Sequence, residues 1–175
     1  MNYCPQCGAP VTRRIPEADD RPRFVCDTCK VIHYQNPIVV VGTIPESEGR
    51  ILLCRRGIEP ALNKWTLPAG YLEIGETLQQ GAARETLEEA GYQIVDLKPY
   101  AITNIVRVNQ VYIMFTCGLG DCVSAPGSES LEVKLFTPEE IPWQEIAFRS
   151  IHKTLKLYCT DMGRGNYPIH LFDIT

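Results

Sequence analysis

The sequence predicts an α+β protein in two parts: a small metal-stapled ribbon, then a strand-rich domain with two helices. Three observations lead there. Four of the eight cysteines fall in two Cys-x-x-Cys pairs near the N-terminus. Beyond residue 37 the chain breaks into apolar runs of strand length, separated by Gly, Pro, Asn and Asp. Only two segments, 78–90 and 146 to about 161, carry a helical pattern.

The ribbon comprises residues 1–34. Cys4 and Cys7 are followed, after 18 residues, by Cys26 and Cys29, the spacing of a four-cysteine Zn²⁺ site. A segment this short cannot bury a sufficient core, so bound metal supplies much of its folding energy. Gly8 and Lys30, just past the two pairs, suit the tight turns that aim sulfurs at a metal. His33 reads as a packing neighbour of the site, since four thiols already complete it. Arg13, Arg14, Arg21, Arg23 and Lys30 tilt the ribbon basic, and Tyr3, Phe24 and Tyr34 add aromatics. Basic residues on a small module are usually solvated, so a structural or dimer-forming ribbon is expected rather than a nucleic-acid grip. The remaining cysteines, Cys54, Cys117, Cys122 and Cys159, share no spacing and read as reduced, small hydrophobes of a reducing compartment.

The second domain, 35–175, opens at Pro37. IVVVGTI is a near-continuous apolar run, expected of a strand buried on both faces. Pro45–Gly49 reads as a turn, RILLCRR as the returning strand, and Gly57–Lys64 as a loop. After the first helix, YQIVDL, ITNIVRVN and QVYIMFTCGL read as separate strands. Asp121–Ser130 is a Gly-, Pro- and Ser-rich loop, and LEVKLFT a further strand. In the last helix Ile151, Leu155 and Tyr158 form an apolar stripe. The final residues, GRGNYPIHLFDIT, show no periodicity and are expected to be a docked tail.

Residues 70–92, GYLEIGETLQQGAARETLEEAGY, are where the chemistry concentrates. Thr77 and Gln80 form a capping box and Gly91 ends the helix. Between them Glu85, Glu88 and Glu89 share one face, with Leu78, Gly81 and Ala82 expected beside them. Ala83, Thr86, Leu87 and Ala90 are expected to face the core. Three acids at these spacings repel one another and meet the negative end of the helix dipole, and Arg84 alone cannot neutralise them. A hard divalent cation can, and oxygen-only ligands point to Mg²⁺ or Mn²⁺.

Gly70, Glu76, Arg84-Glu85, Glu88-Glu89 and Gly91, at these intervals, match the fixed positions of the Nudix box, so the chain resembles Nudix hydrolases. Thr86, where the pattern usually has an aliphatic residue, is the one departure. The resemblance implies an α/β/α sandwich with a mixed sheet, and hydrolysis of nucleoside diphosphates linked to another group by metal-activated water. It implies Glu85, Glu88 and Glu89 as Mg²⁺ ligands with the Gly70 carbonyl, Arg84 orienting them and Glu76 bracing the loop. The general base would be an acid of the box or of a later loop, and Glu129 is preferred over Glu132. Arg55 and Arg56 are candidate phosphate ligands, although strand alternation puts only one of them in the cleft. Trp65 and Tyr112 are candidate stacking surfaces for a base.

Zinc-ribbon Nudix enzymes include NADH pyrophosphatases, which carry an SQPWPFP-type stretch after the box. The corresponding region here, PYAITNIVRVNQVYIMF, lacks it. CPQCGAPV, RPRFVC, IHYQNP and WTLPAGYLE instead resemble a zinc-ribbon group that includes plant FAD and ADP-ribose pyrophosphatases, which moves those substrates ahead of NADH. An RNA-cap hydrolase and a non-catalytic nucleotide-binding regulator are the alternatives. The net charge of −4 exerts no general pull on nucleic acid, so local arginines and metal must attract an anionic substrate. No apolar run is long enough to span a membrane and no signal peptide precedes Cys4, so a cytoplasmic protein is expected, and a homodimer.

Overall fold

The computed structural model describes residues 1–175 and resolves into two compact units, Met1–Pro37 and Ile38–Thr175. In the first, β1 (Val11–Arg14), β2 (Arg23–Cys26) and β3 (Ile32–His33) form an antiparallel sheet in that order. Each cysteine pair turns on a backbone bond of 2.8 Å, from Gly8 N–H to the Cys4 carbonyl and from Lys30 N–H to that of Cys26. Gly8 and Lys30 both have positive φ, 74° and 64°, as the tight turns require. The basic residues are largely occupied within the ribbon. Arg14 pairs with Asp27 at 2.9 Å, and Arg23 pairs with Asp19 at 3.0 Å while stacking on Tyr34.

The second unit is built on a mixed sheet. β4 (Ile38–Ser47) and β5 (Arg50–Arg56) are joined by a hairpin at Glu48–Gly49, so the strand runs through Pro45 where a turn was expected. Past the hairpin the two strands splay. β6 (Trp65–Thr66) pairs β5, and β7 (Ala69–Tyr71) pairs β4. Gly42 permits this, because a Cβ there would collide with Pro68 and Ala69. β8 (Tyr92–Ile105) is one strand where two were expected, carried past Asp96 and Pro99 by register shifts against β9 (Gln110–Cys122). With β10 (Ser130–Phe136) and β11 (His170–Ile174) the order is β10-β5-β4-β9-β8-β11. The β4–β9 and β8–β11 pairs are parallel. The tail is therefore an edge strand.

Helices cover both faces. α1 (Leu78–Ala90) packs on one and α2 (Arg149–Arg164) on the other, and strand alternation supplies both cores. Ile51 and Leu53 join Ile151, Leu155 and Tyr158 beneath α2, while Leu52 and Cys54 pack with Ala90 of α1. Burying one such aliphatic side chain is worth about 1.5–3 kcal/mol. This is an α/β/α sandwich. α2 starts three residues later than its pattern suggested, because Trp143–Glu145 forms a 3₁₀ turn and Phe148 is the N-cap.

The core face of α1 differs from the expected stripe. Gly81, Ala82, Thr86 and Ala90 are buried, and Leu87 is exposed. Small residues face the sheet because α1 lies close to it: a Cβ at Gly81 would crowd Val41 and Leu72. Thr86 is wholly buried. Its hydroxyl donates to the Ala82 carbonyl at 2.8 Å, and so accepts from Thr43 at 2.6 Å.

Candidate active site

In the ribbon, the sulfurs of Cys4, Cys7, Cys26 and Cys29 lie within 4.8 Å of one another. Cys4–Cys29 is 3.6 Å and Cys7–Cys26 is 3.5 Å. A tetrahedron with Zn–S bonds of about 2.3 Å has edges of about 3.8 Å, so the donor set fits Zn²⁺. The His33 Nε2 sits 3.3 Å from the Cys4 sulfur, outside the set of four thiols.

The second site is a cleft of about 990 Å³ at the end of the sheet where β5 and β8 finish and β4 and β9 begin. α1 presents its acids there. Its start is fixed by the capping box, with Gln80 N–H donating to Thr77 at 3.2 Å and Thr77 N–H donating to Gln80 at 2.9 Å. Its end is fixed by Gly91 at φ 78°. From this rigid element Glu85, Glu88 and Glu89 line the cleft with Gly70, Glu129, Arg56 and Tyr112.

Arg84 organises the acids. Its Nε and Nη2 grip both oxygens of Glu76, at 2.7 and 3.0 Å. Nη1 donates to Glu85 at 2.6 Å and to Glu88 at 3.0 Å, and Nη2 donates to the Tyr71 carbonyl at 3.0 Å. All five guanidinium protons are thereby used. The Glu76 partner holds the Arg84 pKa well above its usual range, and Arg84 in turn holds the Glu76 carboxyl low. Glu76 also accepts from Glu73 N–H at 3.1 Å, which closes the loop leading into α1.

Glu89 accepts a bond of 3.1 Å from Ala69 N–H, yet burial pushes its carboxyl up to about 7. Burial likewise raises Glu85, and the charges of Glu88 and Glu129 add to this. A Cβ at Gly70 would overlap the Glu85 carboxylate, so only glycine lets β7 pass here. Carboxylates short of counter-charge, in an all-oxygen donor set, fit a hard divalent cation. Glu85, Glu88 and Glu89 are the residues that could hold it.

The other predicted residues divide. Arg56 lines the cleft, with its Nε bonded to the Pro60 carbonyl at 2.8 Å and its guanidinium stacked on Phe148. Arg55 points to the other face of β5, where it pairs with Glu132 at 3.5 Å, so neither residue belongs to the cleft. Glu129 does belong, because Gly57 N–H holds its carbonyl at 2.7 Å. Trp65 is not a stacking surface; it is buried edge-on against Phe136 in the α2-side core. Tyr112 lines the cleft. Sequence reading missed Arg107, Phe148, Arg149 and Ser150, which also line it. Arg107 comes from a 3₁₀ turn that no periodic pattern marks, and the other three from the start of α2, where the pattern marks a core stripe and not a cleft wall.

A family model described as NUDIX domain matches residues 35–157, and one described as Nudix N-terminal matches 2–35. The crystal structure of a NUDIX hydrolase from Nitrosomonas europaea is similar at TM-score 0.95 and 51% identity, over 99% of each chain. The NAD-capped RNA hydrolase NudC of Vibrio vulnificus is 27% identical over 145 residues, 81% of this chain and 53% of that protein. The mitochondrial NAD(P)H pyrophosphatase of Mus musculus is 25% identical over 141 residues, 81% of this chain and 38% of that protein. The chain thus spans about half the length of the first of these curated relatives.

Proposed function

We propose that this chain, which belongs to the Nudix family, is a metal-dependent pyrophosphohydrolase that splits a nucleoside diphosphate linked to a second moiety into two monophosphates. One observation carries the reading. A single cleft is lined by the carboxylates Glu85, Glu88, Glu89 and Glu129 and by three arginines, Arg56, Arg107 and Arg149, and none of these arginines is in an ion pair. Unpaired guanidiniums suit phosphate oxygens, and clustered acids suit the cation that accompanies them. The volume of about 990 Å³ admits a dinucleotide-sized ligand.

Glu85, Glu88 and Glu89, with the Gly70 carbonyl, would hold Mg²⁺ or Mn²⁺. When bound, such an ion neutralises phosphate charge and lowers the pKa of water. Arg84 keeps the three acids aimed while Glu76 anchors Arg84. Glu129 takes the proton of the attacking water at its carboxylate, and Arg56 positions a phosphate. Tyr112 offers a face to the base. Cys4, Cys7, Cys26 and Cys29 would hold structural Zn²⁺ in the ribbon. Buried Cys54 and Cys117, both reduced, support a reducing, cytoplasmic setting, and the ribbon is taken as a dimer-forming module.

FAD and ADP-ribose lead as substrates. Nicotinamide dinucleotides are the second reading, favoured by the names of the Vibrio and mouse relatives. A panel of nucleoside diphosphate derivatives with Mg²⁺, read by product chromatography, should give AMP plus FMN from FAD, or AMP plus ribose phosphate from ADP-ribose. A kcat/KM about tenfold higher for NADH, about 1.4 kcal/mol of transition-state preference, would reverse the ranking. Hydrolysis of nucleoside triphosphates alone would overturn the class. Glu88→Gln and Glu89→Gln should each lower kcat by orders of magnitude without unfolding the protein, and near-normal turnover in both would remove the metal assignment.

A further inference from the structure

The N-terminus of α2 is open in a way that its sequence does nothing to correct. Phe148, the N-cap, has no side chain able to accept from the first turn, and that turn contains no acid. The N–H groups of Arg149, Ser150 and Ile151 have no acceptor in the protein, and all three residues line the cleft. A helix start normally carries Ser, Asp or Glu, because the dipole is positive there. Here it carries Arg149 instead, which raises the local positive potential.

Ser150 is an independent sign of a ligand. It is only 3% exposed, lines the cleft, and its hydroxyl makes no hydrogen bond within the protein. The back-bond to the carbonyl four residues earlier, which Thr86 and Thr160 make, is not open to Ser150, because Ile146 precedes the helix. That hydroxyl is left free for a partner in the cleft. In the same cleft, the Arg56 guanidinium rests 5.2 Å from the centre of the Phe148 ring, and the acids of α1 line that cleft too.

We propose that the N-terminus of α2, with the Ser150 hydroxyl and with Arg56 of the same cleft, seats the substrate phosphate that lies away from the carboxylate cluster. This deepens the pyrophosphohydrolase reading and rests on it. Three backbone N–H groups, a hydroxyl and a flanking guanidinium match the oxygens of one phosphate. The acids of α1 and their cation would serve its neighbour across the anhydride. The seat also holds one monophosphate product after cleavage, so it should bind a nucleoside monophosphate without any divalent cation.

The test is calorimetric titration of the full chain with AMP and with adenosine, in buffer without added divalent cation. Ser150→Ala should weaken AMP about tenfold and leave adenosine unchanged. Arg149→Glu should weaken AMP at least as much, while keeping or raising Tm, because an acid suits a helix start. A helix that was merely disturbed would lose stability and affinity together. Equal loss of AMP and adenosine in Ser150→Ala, or AMP binding unchanged in both variants, would overturn the seat. AMP binding that depends on Ser150, in a protein inactive on every diphosphate of the panel, would uphold the seat and reject the enzyme reading.

Discussion

Glu89 couples a proton to stability and, on the proposed reading, both to a metal. Its carboxyl titrates near 7 in the folded chain against 4.5 as an ordinary glutamate, because burial disfavours the charge. Between those values the folded state holds a proton that the unfolded state has released. The stabilisation is therefore complete below pH 4.5 and is lost as pH rises through 7, about 3 kcal/mol in all. Without divalent cation, Tm should fall from pH 5 to pH 8, and Mg²⁺ should raise Tm more at pH 8 than at pH 5. Glu89→Gln should flatten that component, and a slope equal to wild type would exclude Glu89 as its source. The acids themselves were legible in the sequence, since spacing alone puts Glu85, Glu88 and Glu89 on one helix face. That Arg84 spends every proton on Glu76, Glu85, Glu88 and the Tyr71 carbonyl was not, because the loop folds back over the helix.

α1 is clamped to β4 by a buried pair of hydroxyls. Thr43 donates to Thr86, and Thr86 donates to the Ala82 carbonyl, so the chain of donors is fully used. Thr86→Val should strand the Thr43 hydroxyl and cost about 1–3 kcal/mol, whereas Thr43→Val with Thr86→Val should recover most of it. Denaturant unfolding of the four members of that cycle checks this, and additive losses would dismiss the pair. This detail explains why the apolar stripe of α1 was misread by one position. With alanines at 82, 83 and 90 and a threonine at 86, hydropathy hardly distinguishes the two faces, and close approach to Val41 decides. The strands β4, β5, β9 and β10 could be read from their apolar runs. β11 could not: its side chains alternate between half-buried and exposed, and its place is fixed at long range. Asp161 of α2 accepts from Tyr100 of β8 at 2.7 Å and contacts His170 of β11 at 2.6 Å, which holds the edge strand in parallel register.

The two units are stabilised by different means. The second has three apolar clusters, and the ribbon buries little beyond Cys4, Val25 and Cys26. Cys26→Ser should therefore release Zn²⁺ and abolish amide protection in 1–37, while α1 and the central strands stay protected in hydrogen exchange. Persistent protection of β2 in that variant, or zinc-free protein after purification without chelator, would refute the metal staple. In the second unit, the acids and their organiser lie in one uninterrupted stretch, 70–89, on a capped helix. The remaining walls come from 56–60, 105–112, 127–129 and 147–151, joined only in space. On the proposed reading, changing a loop such as 105–110 alters what the cleft accepts without touching the 70–89 segment that would hold the cation. Exchange of 105–110 between relatives is the kind of inheritance this layout permits, with the reaction preserved and the diet changed.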